Sequence, residues 1–303
     1  MNYLITGASG FLGQALTSFL LKKGHNVFGI DLSKTNSMNA LSSEYQIIVD
    51  INDTATLSEK ISALDLDGVF HLAAQASVFQ SWQNPLKTYN INILGTASLI
   101  EALNTKSKKP KLLFSSSAEV YGDINSLECT ESTILNTSNP YGLSKQSAET
   151  ICRISYPNHV IARQFSIIGV GHSETYAIPG FCKQVANMKK GKTPPVLKVG
   201  NIDVFRNFTS VKDILRAYLL LMEKDTMGNI YNIASNDTVT IKNVLLLLKE
   251  ISGIDFKIEV DPIRFRPVDS TMTSISFSKI ENLGWSPEEE LKNTIKEVYE
   301  SFL

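Results

Sequence analysis

The chain has 303 residues, of which 43% are hydrophobic, and its formal net charge at neutral pH is −1. This composition is that of an ordinary globular protein large enough for two lobes, and the near-neutral charge gives no support for nucleic-acid binding. No apolar run approaches the ~20 residues needed to span a bilayer, and the first residues read as a strand rather than a signal peptide. We therefore expect a cytoplasmic protein that does not bind a membrane.

Neither the cysteines nor the histidines have the spacing of metal ligands. Cys129, Cys152 and Cys182 are odd in number and include no CxxC pair, which is typical of reduced cytosolic thiols. The four histidines are scattered along the chain. The sequence therefore predicts no metal site.

Strand and helix patterns alternate through the first half of the chain. The predicted strands are residues 3–6, 26–31, 46–50, 68–72, 111–114 and 159–165. The predicted helices are residues 11–23, 85–104 and 141–156. This alternation predicts an α/β fold of the Rossmann type, with a doubly wound parallel sheet that binds ligands at the carboxyl ends of its strands.

The second half is interrupted by Gly and Pro and predicts a smaller C-terminal substrate-binding lobe. We expect the chain to return to the large sheet near residues 206–213 and 229–233, and to add a helix at 241–251 and a strand at 256–260. The predicted dinucleotide-binding domain therefore spans residues 1–168 and about 204–236. The substrate-binding lobe spans residues 169–203 and 237–303.

Three glycines, Gly7, Gly10 and Gly13, lie between the first strand and the first helix. In this position the first permits a tight turn, the second lets the backbone approach a pyrophosphate, and the third lets the helix pack closely on the sheet. Helix amides then face the phosphates. The motif predicts dinucleotide binding, and a tight turn without a ligand is the alternative.

Two carboxylates follow the next strands. Asp31 ends the second strand, where it can accept hydrogen bonds from an adenosine ribose and would repel a 2′-phosphate. This favours NAD(H), although the nearby Lys34 leaves NADP(H) possible. Asp50 and Ile51 follow the third strand and are placed to meet the adenine.

A serine and a Tyr-xxx-Lys pair indicate the chemistry. Four residues separate Tyr141 from Lys145, which places them one turn apart on one face of a helix. A tyrosine has an unperturbed pKa of about 10, and a neighbouring ammonium lowers it by stabilising the phenolate. Ser117, after the strand at 111–114, would orient the reacting oxygen for proton transfer. Such a site moves a hydride to or from a carbon that bears oxygen.

With these motifs, the chain resembles the extended short-chain dehydrogenase/reductases of the nucleotide-sugar epimerase/dehydratase family. The resemblance runs nearly end to end. It rests on the glycine turn and on the segments His71-Leu72-Ala73-Ala74-Gln75, Asn92-Ile93-Leu94-Gly95-Thr96, Ser115-Ser116-Ser117-Ala118-Glu119, Tyr141-xxx-Lys145 and Arg206-Asn207-Phe208.

The resemblance implies a full set of site residues. Ser117, Tyr141 and Lys145 would be catalytic. The residues that would line the dinucleotide are Gly7, Gly10, Phe11, Leu12, Gly13, Asp31, Asp50, Ile51, Leu72, Ala73, Ala74, Gln75, Asn92, Tyr141, Lys145 and Phe165.

Three further segments look like GDP-6-deoxy-4-keto-mannose reductases and their GDP-mannose 4,6-dehydratase relatives. They begin at Gln75, Pro194 and Asp261. The substrate-binding residues that this likeness implies are Ser77, Ser117, Ser166, Lys198, Arg206, Arg264 and Arg266. The arginines would bind diphosphate oxygens as bidentate pairs, and exposed surface arginines are the alternative.

Glu119 leaves more than one reaction open. Dehydratases of this family use a glutamate at this position to remove a proton, but 4-reductases that look like this chain also keep one. Ala118 leaves no second carboxylate, so we favour an NAD(P)H-dependent reductase acting on the C4 ketone of a GDP-4-keto-6-deoxy-sugar. A 4,6-dehydratase, a 4-epimerase and a C4 dehydrogenase remain alternatives, and so does a dinucleotide sensor without catalysis.

The substrate loop departs from its nearest relatives. This chain has Ser166 where they carry an Asn that contacts the sugar nucleotide. The shorter side chain implies a shifted or larger sugar, of mannose or heptose type. The resemblance also implies a homodimer that pairs through the helices beginning near Pro85 and Tyr141.

Overall fold

The computed structural model describes residues 1–32, 41–123, 128–262, 265 and 274–303. Its centre is a seven-stranded parallel sheet with the strand order β10-β6-β5-β4-β1-β2-β3. These strands are β1 (Asn2–Thr6), β2 (Asn26–Asp31), β3 (Gln46–Ile48), β4 (Gly68–His71), β5 (Lys111–Ser115), β6 (His159–Gln164) and β10 (Asn229–Ile233). The strand order changes direction at β1, so the crevice between β1 and β4 is the expected ligand position.

Helices cover both faces of this sheet. The helices assigned in the described residues are α1 (Phe11–Lys22), α2 (Thr54–Ser62), α3 (Val78–Gln83), α4 (Pro85–Tyr89), α5 (Gly95–Asn104), α6 (Pro140–Ser155), α7 (Ala177–Lys189), α8 (Val211–Glu223), α9 (Ile241–Ser252), α10 (Ser278–Glu281) and α11 (Leu291–Glu300). Residues of α1 and α8 pack in one apolar cluster, and residues of α2, α5 and α6 pack in another. The predicted doubly wound fold is confirmed.

Successive residues of a strand pack alternately into the two clusters. Leu4 packs with the α2–α5–α6 side and Ile5 with the α1–α8 side. Leu112 and Leu113 divide in the same way. Successive strand side chains point to opposite faces, so a central parallel strand must be apolar throughout. Each such burial stabilises the fold by about 1.5–3 kcal/mol.

A smaller lobe has its own core. Its strands are β7 (Ser166–Ile168), β8 (Val196–Val199), β9 (Phe205–Ser210), β11 (Thr238–Thr240) and β12 (Lys257–Val260). They form a three-stranded sheet, β11-β9-β7, and a two-stranded sheet, β12-β8. Helices α7, α9 and α11 bury apolar residues together in a separate cluster that includes Phe181, Leu245 and Val298.

One expected strand lies in a different sheet. The prediction that residues 206–213 rejoin the large sheet is wrong for β9, because β9 pairs with β7 and β11 instead. The chain leaves the large sheet just after Phe165 and continues as β7, which pairs in parallel with β9. Helix α8 then packs on β5 and β6, and β10 joins the edge beside β6 as expected. The exact domain division stays a prediction.

The helical stretch over residues 85–104 is continuous but not uniform. The sequence predicts one helix, whereas the structure has α4, a π-helical turn at Asn90–Leu94 and then α5. Helix α5 begins at Gly95, and a Cβ on this residue would lie only 2.6 Å from Ile51 Cγ2. Wide turns of this kind often occur at functional sites. In the part of the chain that the structure describes, no helix has both the length and the apolarity to cross a bilayer.

Candidate active site

The glycine turn between β1 and α1 leaves no room for side chains. Gly7 has φ 71°, and a Cβ there would lie 2.9 Å from the Cα of Ala73 in the loop after β4. A Cβ on Gly13 would lie 2.2 Å from the carbonyl oxygen of Gly7. The turn therefore brings the start of α1 close to the carboxyl ends of both β1 and β4.

The N-terminus of α1 is open to a ligand. Gly10 is its N-cap residue, no side chain of the described residues caps the helix, and its first turn contains no acidic residue. The amide groups and the positive end of the helix dipole suit an anionic group such as a pyrophosphate. Phe11 and Leu12, the first two helix residues, were both expected at this site.

Asp31 is fixed beside the same turn. Its Oδ2 accepts hydrogen bonds from the Ser9 amide at 2.9 Å and from the Ser9 hydroxyl at 2.6 Å. Its Oδ1 accepts one from the Leu32 amide at 2.8 Å. The structure thus brings Asp31 and the glycine turn together, as the sequence predicted, and Ser9 is a contact that the sequence reasoning missed.

The two residues expected near the adenine differ in burial. Strand β3 ends at Ile48 rather than at residue 50, so Asp50 lies in the following turn and is exposed. Its carboxylate accepts a hydrogen bond from the Asn52 amide at 2.9 Å. Ile51 is buried against Gly95. Only Asp50 therefore presents a polar group to solvent.

Asn92 in the π-helical turn links the loop after β4 to α6. Its Oδ1 accepts from the Gln75 amide at 2.8 Å, and its Nδ2 donates to the Gln75 carbonyl at 3.1 Å. The same Nδ2 donates to Ser144 Oγ at 2.8 Å, and that hydroxyl donates to the Tyr141 carbonyl. Asn92 thereby fixes the loop that contains Leu72, Ala73 and Ala74 relative to the Tyr141 helix.

A buried histidine connects the strands behind this loop. His71 Nδ1 lies 2.7 Å from Thr6 Oγ1, and its Nε2 lies 2.9 Å from Thr96 Oγ1. Thr96 Oγ1 donates to the Asn92 carbonyl, so it accepts from the Nε2–H of His71, and Thr6 donates to Nδ1. Burial lowers the pKa of His71 to about 3. A neutral His71 thus serves as a structural link between β1, β4 and the helical stretch.

Tyr141, Lys145 and Ser117 meet where β5 ends. Lys145 is buried, its Nζ donates to the Ser115 carbonyl at 2.9 Å, and it lies 6.0 Å from the centre of the Tyr141 ring. Ser117 is near enough to the Tyr141 phenol to lower the pKa of Tyr141 through hydrogen bonding. The structure therefore brings the three predicted catalytic residues together.

Burial governs the proton state of both groups. It lowers the pKa of Lys145 to about 8. It raises the pKa of Tyr141 above its ordinary value, and the hydrogen bond with Ser117 opposes that effect. Tyr141 is consequently protonated at neutral pH, beside a lysine that is mostly charged. This arrangement can supply a proton to an oxygen held near Ser117.

Glu119 lies at the entrance to α6. Its Oε2 accepts from Asn139 Nδ2 at 2.7 Å, while Asn139 Oδ1 caps the helix through the Gly142 amide at 2.8 Å. A Cβ on Gly142 would lie 2.5 Å from the Glu119 carbonyl oxygen, so glycine is required for this close approach. The carboxylate is thus fixed to the first turn of the helix that carries Tyr141.

A buried ion pair behind the site was missed by the sequence reasoning. Arg163 on β6 binds both oxygens of Glu149, through Nε at 2.9 Å and Nη2 at 2.7 Å. Ser116 Oγ donates to Glu149 Oε1, and Arg163 Nη1 donates to Tyr121 Oη at 3.0 Å. A usable signal was present, because Glu149 follows Lys145 by four residues on one helical face.

Three of the predicted substrate-binding residues lie in two different sheets of the smaller lobe. Ser166 is exposed at the start of β7 and pairs with Phe208 on β9, the strand that also carries Arg206. The half-buried Arg206 donates through Nη1 to the Phe205 carbonyl at 2.8 Å. Lys198 lies in the two-stranded sheet, 4.0 Å from Glu259.

Five other residues named from the sequence have simpler outcomes. Ser77 caps α3 through the Gln80 amide, and Phe165 is buried just after β6. Arg264 and Arg266 lie outside the described residues, and so does Lys34. Their proposed contacts stay predictions.

The parallel sheet, the glycine turn and the Ser117–Tyr141–Lys145 group define a protein of the extended short-chain dehydrogenase/reductase class. A family model described as GDP-mannose 4,6 dehydratase matches residues 4–298. The chain therefore belongs to this family. The family assignment from the sequence, and with it the assignment as an enzyme, is confirmed.

Individual relatives cover nearly the whole chain. GDP-6-deoxy-D-mannose reductase of Pseudomonas aeruginosa is 31% identical and covers 97% of this chain and 94% of its own length. The structure of RMD from Pseudomonas aeruginosa complexed with NADPH has a TM-score of 0.87 at 29% identity, covering 99% of this chain and 98% of that chain. UDP-glucose 4-epimerase of Thermotoga maritima, solved with UDP-glucose, has a TM-score of 0.88 at 27% identity, covering 100% and 98%.

The Glu149–Arg163 pair yields a stability prediction. Glu149→Gln leaves the Arg163 guanidinium buried without its counter-charge, which costs about 3–5 kcal/mol in similar pairs. Urea denaturation should therefore show a large fall in the free energy of unfolding. Glu250→Gln is the matched control, because Glu250 pairs with Lys292 at 2.6 Å on the surface. It should cost less than about 1 kcal/mol, and equal losses in the two variants would contradict the prediction.

Proposed function

We propose that this protein is a nucleotide-sugar reductase that uses NAD(P)H to reduce the C4 ketone of a GDP-4-keto-6-deoxy-sugar of mannose or heptose type. The observation that carries the reaction class is the meeting of Tyr141 and the buried Lys145, whose Nζ lies 6.0 Å from the centre of the Tyr141 ring, with Ser117 just beyond the end of β5. The likeness to GDP-6-deoxy-D-mannose reductase of Pseudomonas aeruginosa supports the substrate class.

The residues around the glycine turn fit a nicotinamide dinucleotide. The open N-terminus of α1 would hold the pyrophosphate, and Asp31 would accept hydrogen bonds from the adenosine ribose. Lys145 would hold the nicotinamide ribose beside Tyr141. A fixed carboxylate repels a 2′-phosphate, which favours NAD(H). The NADPH in the structure of RMD from Pseudomonas aeruginosa supports NADP(H) as the alternative.

The chemistry follows from the proton states of these side chains. When bound, a reduced nicotinamide cofactor would supply the hydride for C4 of the keto sugar. Ser117 donates a hydrogen bond that orients the ketone oxygen, and Tyr141 Oη gives that oxygen its proton. The charged Lys145 stabilises the phenolate that Tyr141 becomes. One hydride and one proton convert the ketone to a secondary alcohol.

Glu119 supports a second candidate, a 4,6-dehydratase. Its carboxylate lies at the start of α6, near the reacting group, and the family description names a dehydratase. Its bond to Asn139 ties it to the helix cap and supports a positioning role in a reductase instead. The UDP-glucose 4-epimerases among the relatives keep 4-epimerisation as a further alternative.

A homodimer is also part of the proposal. Helix α6 packs beside α4 and α5, and apolar side chains of both α4 and α6 remain exposed, with Leu86 of α4 78% and Ile154 of α6 79% exposed. Leu143 and Ile154 lie eleven residues apart, so they share one face of α6. Burying such a patch against a second copy removes it from water. We place the enzyme in the cytoplasm, which agrees with its three free, buried cysteines.

The first test of the function uses the purified wild-type enzyme. Reduced cofactor and GDP-4-keto-6-deoxy-mannose are mixed, and the absorbance of the reduced nicotinamide is followed. We expect cofactor oxidation and a 6-deoxy-hexose product with a C4 hydroxyl. Loss of water from GDP-mannose without added reductant would instead identify a dehydratase.

Replacing Tyr141 tests the proton donor. Tyr141→Phe should lower kcat at least about a hundredfold, because the ketone oxygen loses its acid. Cofactor affinity, measured by the fluorescence of the reduced nicotinamide, should stay near the wild-type value. Near-normal kinetics would remove Tyr141 from the mechanism.

Glu119→Gln separates the two candidate reactions. A reductase should keep most of its activity, because its proton comes from Tyr141. A dehydratase should be nearly inactive, because the glutamine cannot remove the proton. Steady-state rates with the keto sugar and with GDP-mannose would decide between these outcomes.

The proton state of Lys145 predicts a pH dependence. Burial lowers its pKa from 10.5 to about 8, so Lys145 is charged below that pH and loses its charge as the pH rises through it. The phenolate of Tyr141 then loses its stabilising neighbour. We expect kcat/KM for ketone reduction to fall above about pH 8. A profile that stays flat well beyond that pH would contradict this role.

A further inference from the structure

The buried lysine of the candidate site is held by the end of a strand. Among the residues that the structure describes, Lys145 Nζ has one hydrogen-bond acceptor, the Ser115 carbonyl at 2.9 Å. The centre of the Phe114 ring lies 4.9 Å from the same Nζ. An ammonium has three donors, so two of them remain for a ligand such as the ribose next to a nicotinamide.

The carbonyl of Ser115 is available because β5 extends beyond its neighbour in the sheet. Strand β4 ends at His71, which pairs with Phe114. On the other side of β5, the Ser116 amide donates to the Ala162 carbonyl of β6 at 2.8 Å. In a planar trans peptide the carbonyl points away from the amide that follows it, so the Ser115 carbonyl points to the side where β4 has ended. The lysine takes the place of the missing strand partner.

The side chain of Ser115 is fixed by two other buried polar groups. Gln164, the last residue of β6, donates through Nε2 to Ser115 Oγ at 2.8 Å. The hydroxyl of Tyr218 on α8 lies 2.9 Å from Ser115 Oγ and 3.1 Å from Gln164 Oε1. All three side chains are buried. We call Ser115, Gln164 and Tyr218 the polar triangle, because each member is hydrogen-bonded to the other two.

Tyr218 and the lysine lie on opposite faces of the large sheet. Tyr218 packs in the cluster of α1 and α8, where its ring stacks on Phe70 with the ring centres 6.3 Å apart. Lys145 belongs to α6, whose Ala148 packs in the cluster on the other face. Ser115 links the two faces, because a strand side chain points out of the sheet while its carbonyl lies in the plane of the sheet. A hydroxyl on α8 can therefore act on a lysine of α6.

This support matters because the lysine is buried. An ammonium removed from water needs acceptors in fixed positions. The polar triangle carries no charge, and burial raises the pKa of Tyr218 above its ordinary value, so the phenol stays protonated. A buried polar network whose members are all paired is rigid. The polar triangle thereby keeps the Ser115 carbonyl where the Lys145 ammonium needs it.

We propose that Tyr218 is a positioning residue for the reduction. With Gln164 it fixes Ser115, and the Ser115 carbonyl holds the Lys145 ammonium beside the phenol that gives the proton. The inference rests on the proposed function for the reaction that Lys145 serves, whereas the contacts themselves belong to the protein without substrate. It gives α8, a helix on the far face of the sheet, a part in the chemistry.

The test removes one hydroxyl and measures the charge of the lysine directly. Lysine side chains isotope-labelled at Cε are titrated by NMR in the protein without ligands, and the Lys145 signal is identified by its absence in Lys145→Met. The pKa of Lys145 in wild type should be about 8. Tyr218→Phe weakens the hold of the carbonyl on the charged form, so this pKa should fall by about half to one pH unit.

Tyr156→Phe is the matched control. Tyr156 is buried, and its hydroxyl donates to the Pro110 carbonyl at 2.7 Å, at the other end of β5. Each variant loses the hydrogen bonding of one buried phenol, so both should lower the midpoint of urea denaturation. Only Tyr218→Phe should lower the pKa of Lys145. A fall of equal size in Tyr156→Phe, or no fall in Tyr218→Phe, would overturn the inference.

Other titratable groups face the lysine, and the variants leave them in place. These groups are Tyr141, Glu149 and Cys152 of α6 and His71 of β4. In the described part of the chain, the hydroxyl of Tyr218 is hydrogen-bonded to none of them. A change in the pKa of Lys145 therefore reports on the connection through Ser115.

Ser115→Ala tests that connection. It keeps the backbone carbonyl and removes Oγ, so it should lower the pKa of Lys145 as Tyr218→Phe does. The double variant should lower this pKa no further than the single variants do, because both changes break the same connection. Two effects that add in full would overturn the path through Ser115.

Kinetics separate the inference from the proposed function. In Tyr218→Phe, the fall of kcat/KM at high pH should move to lower pH by the same amount as the pKa of Lys145. If this pKa falls and the kinetic profile does not follow, Tyr218 has no positioning role in the reaction. A wild type that does not reduce the keto sugar would overturn the proposed function, while the NMR titration would still decide whether Tyr218 acts on Lys145.

Discussion

The buried ion pair between Glu149 and Arg163 fixes the helix on which the site depends. Glu149 lies on α6 one turn beyond Lys145, and Arg163 lies on β6 inside the sheet. Ser116, which lies between the end of β5 and Ser117, donates a hydrogen bond to the same carboxylate and so fixes the end of the strand. The pair thus sets the separation between the serine on a strand and the Tyr–Lys pair on a helix. The two charges lose their hydration when they are buried, and the two hydrogen bonds of the bidentate pair offset this loss of free energy.

A second set of hydrogen bonds aligns the loop after β4, at the predicted cofactor site, with this helix. Asn92 binds the backbone of Gln75 and the hydroxyl of Ser144. His71 joins Asn92 to β1 through two threonines. The loop after β4 and the helix that carries Tyr141 are therefore connected by Asn92 of the π-helical turn together with buried side chains from β1, β4, α5 and α6. Every described partner in this network is neutral, which avoids the cost of burying charge.

Much of the fold was predictable because its signals are local. Buried parallel strands are apolar throughout, and the glycine turn and the helix spacing of Tyr141 and Lys145 are visible in sequence. The placement of β9 was not predictable, because the sheet that a strand joins is determined by pairing with a strand far away in sequence. The π-helical turn inside residues 85–104 was missed for a similar reason, since its apolar pattern differs little from that of an α-helix.

The grouping of the candidate site residues was predictable in part. The glycine turn, Asp31 and the proposed catalytic residues Ser117, Tyr141 and Lys145 were expected from their residue types and spacing. Glu149 was not expected, because a charged residue on a helix is ordinary in isolation. Its structural role arises only because the fold brings Arg163 against it.

The proposed reaction is the net reduction of a ketone at C4 of a nucleotide sugar, served by Tyr141, Ser117 and Lys145. The most direct measurement uses reduced cofactor that carries deuterium at the transferable position, together with GDP-4-keto-6-deoxy-mannose. The product's label is then located by NMR. Our account predicts one deuterium at C4 for each cofactor oxidised. A sugar without deuterium, with the cofactor still reduced, would contradict it.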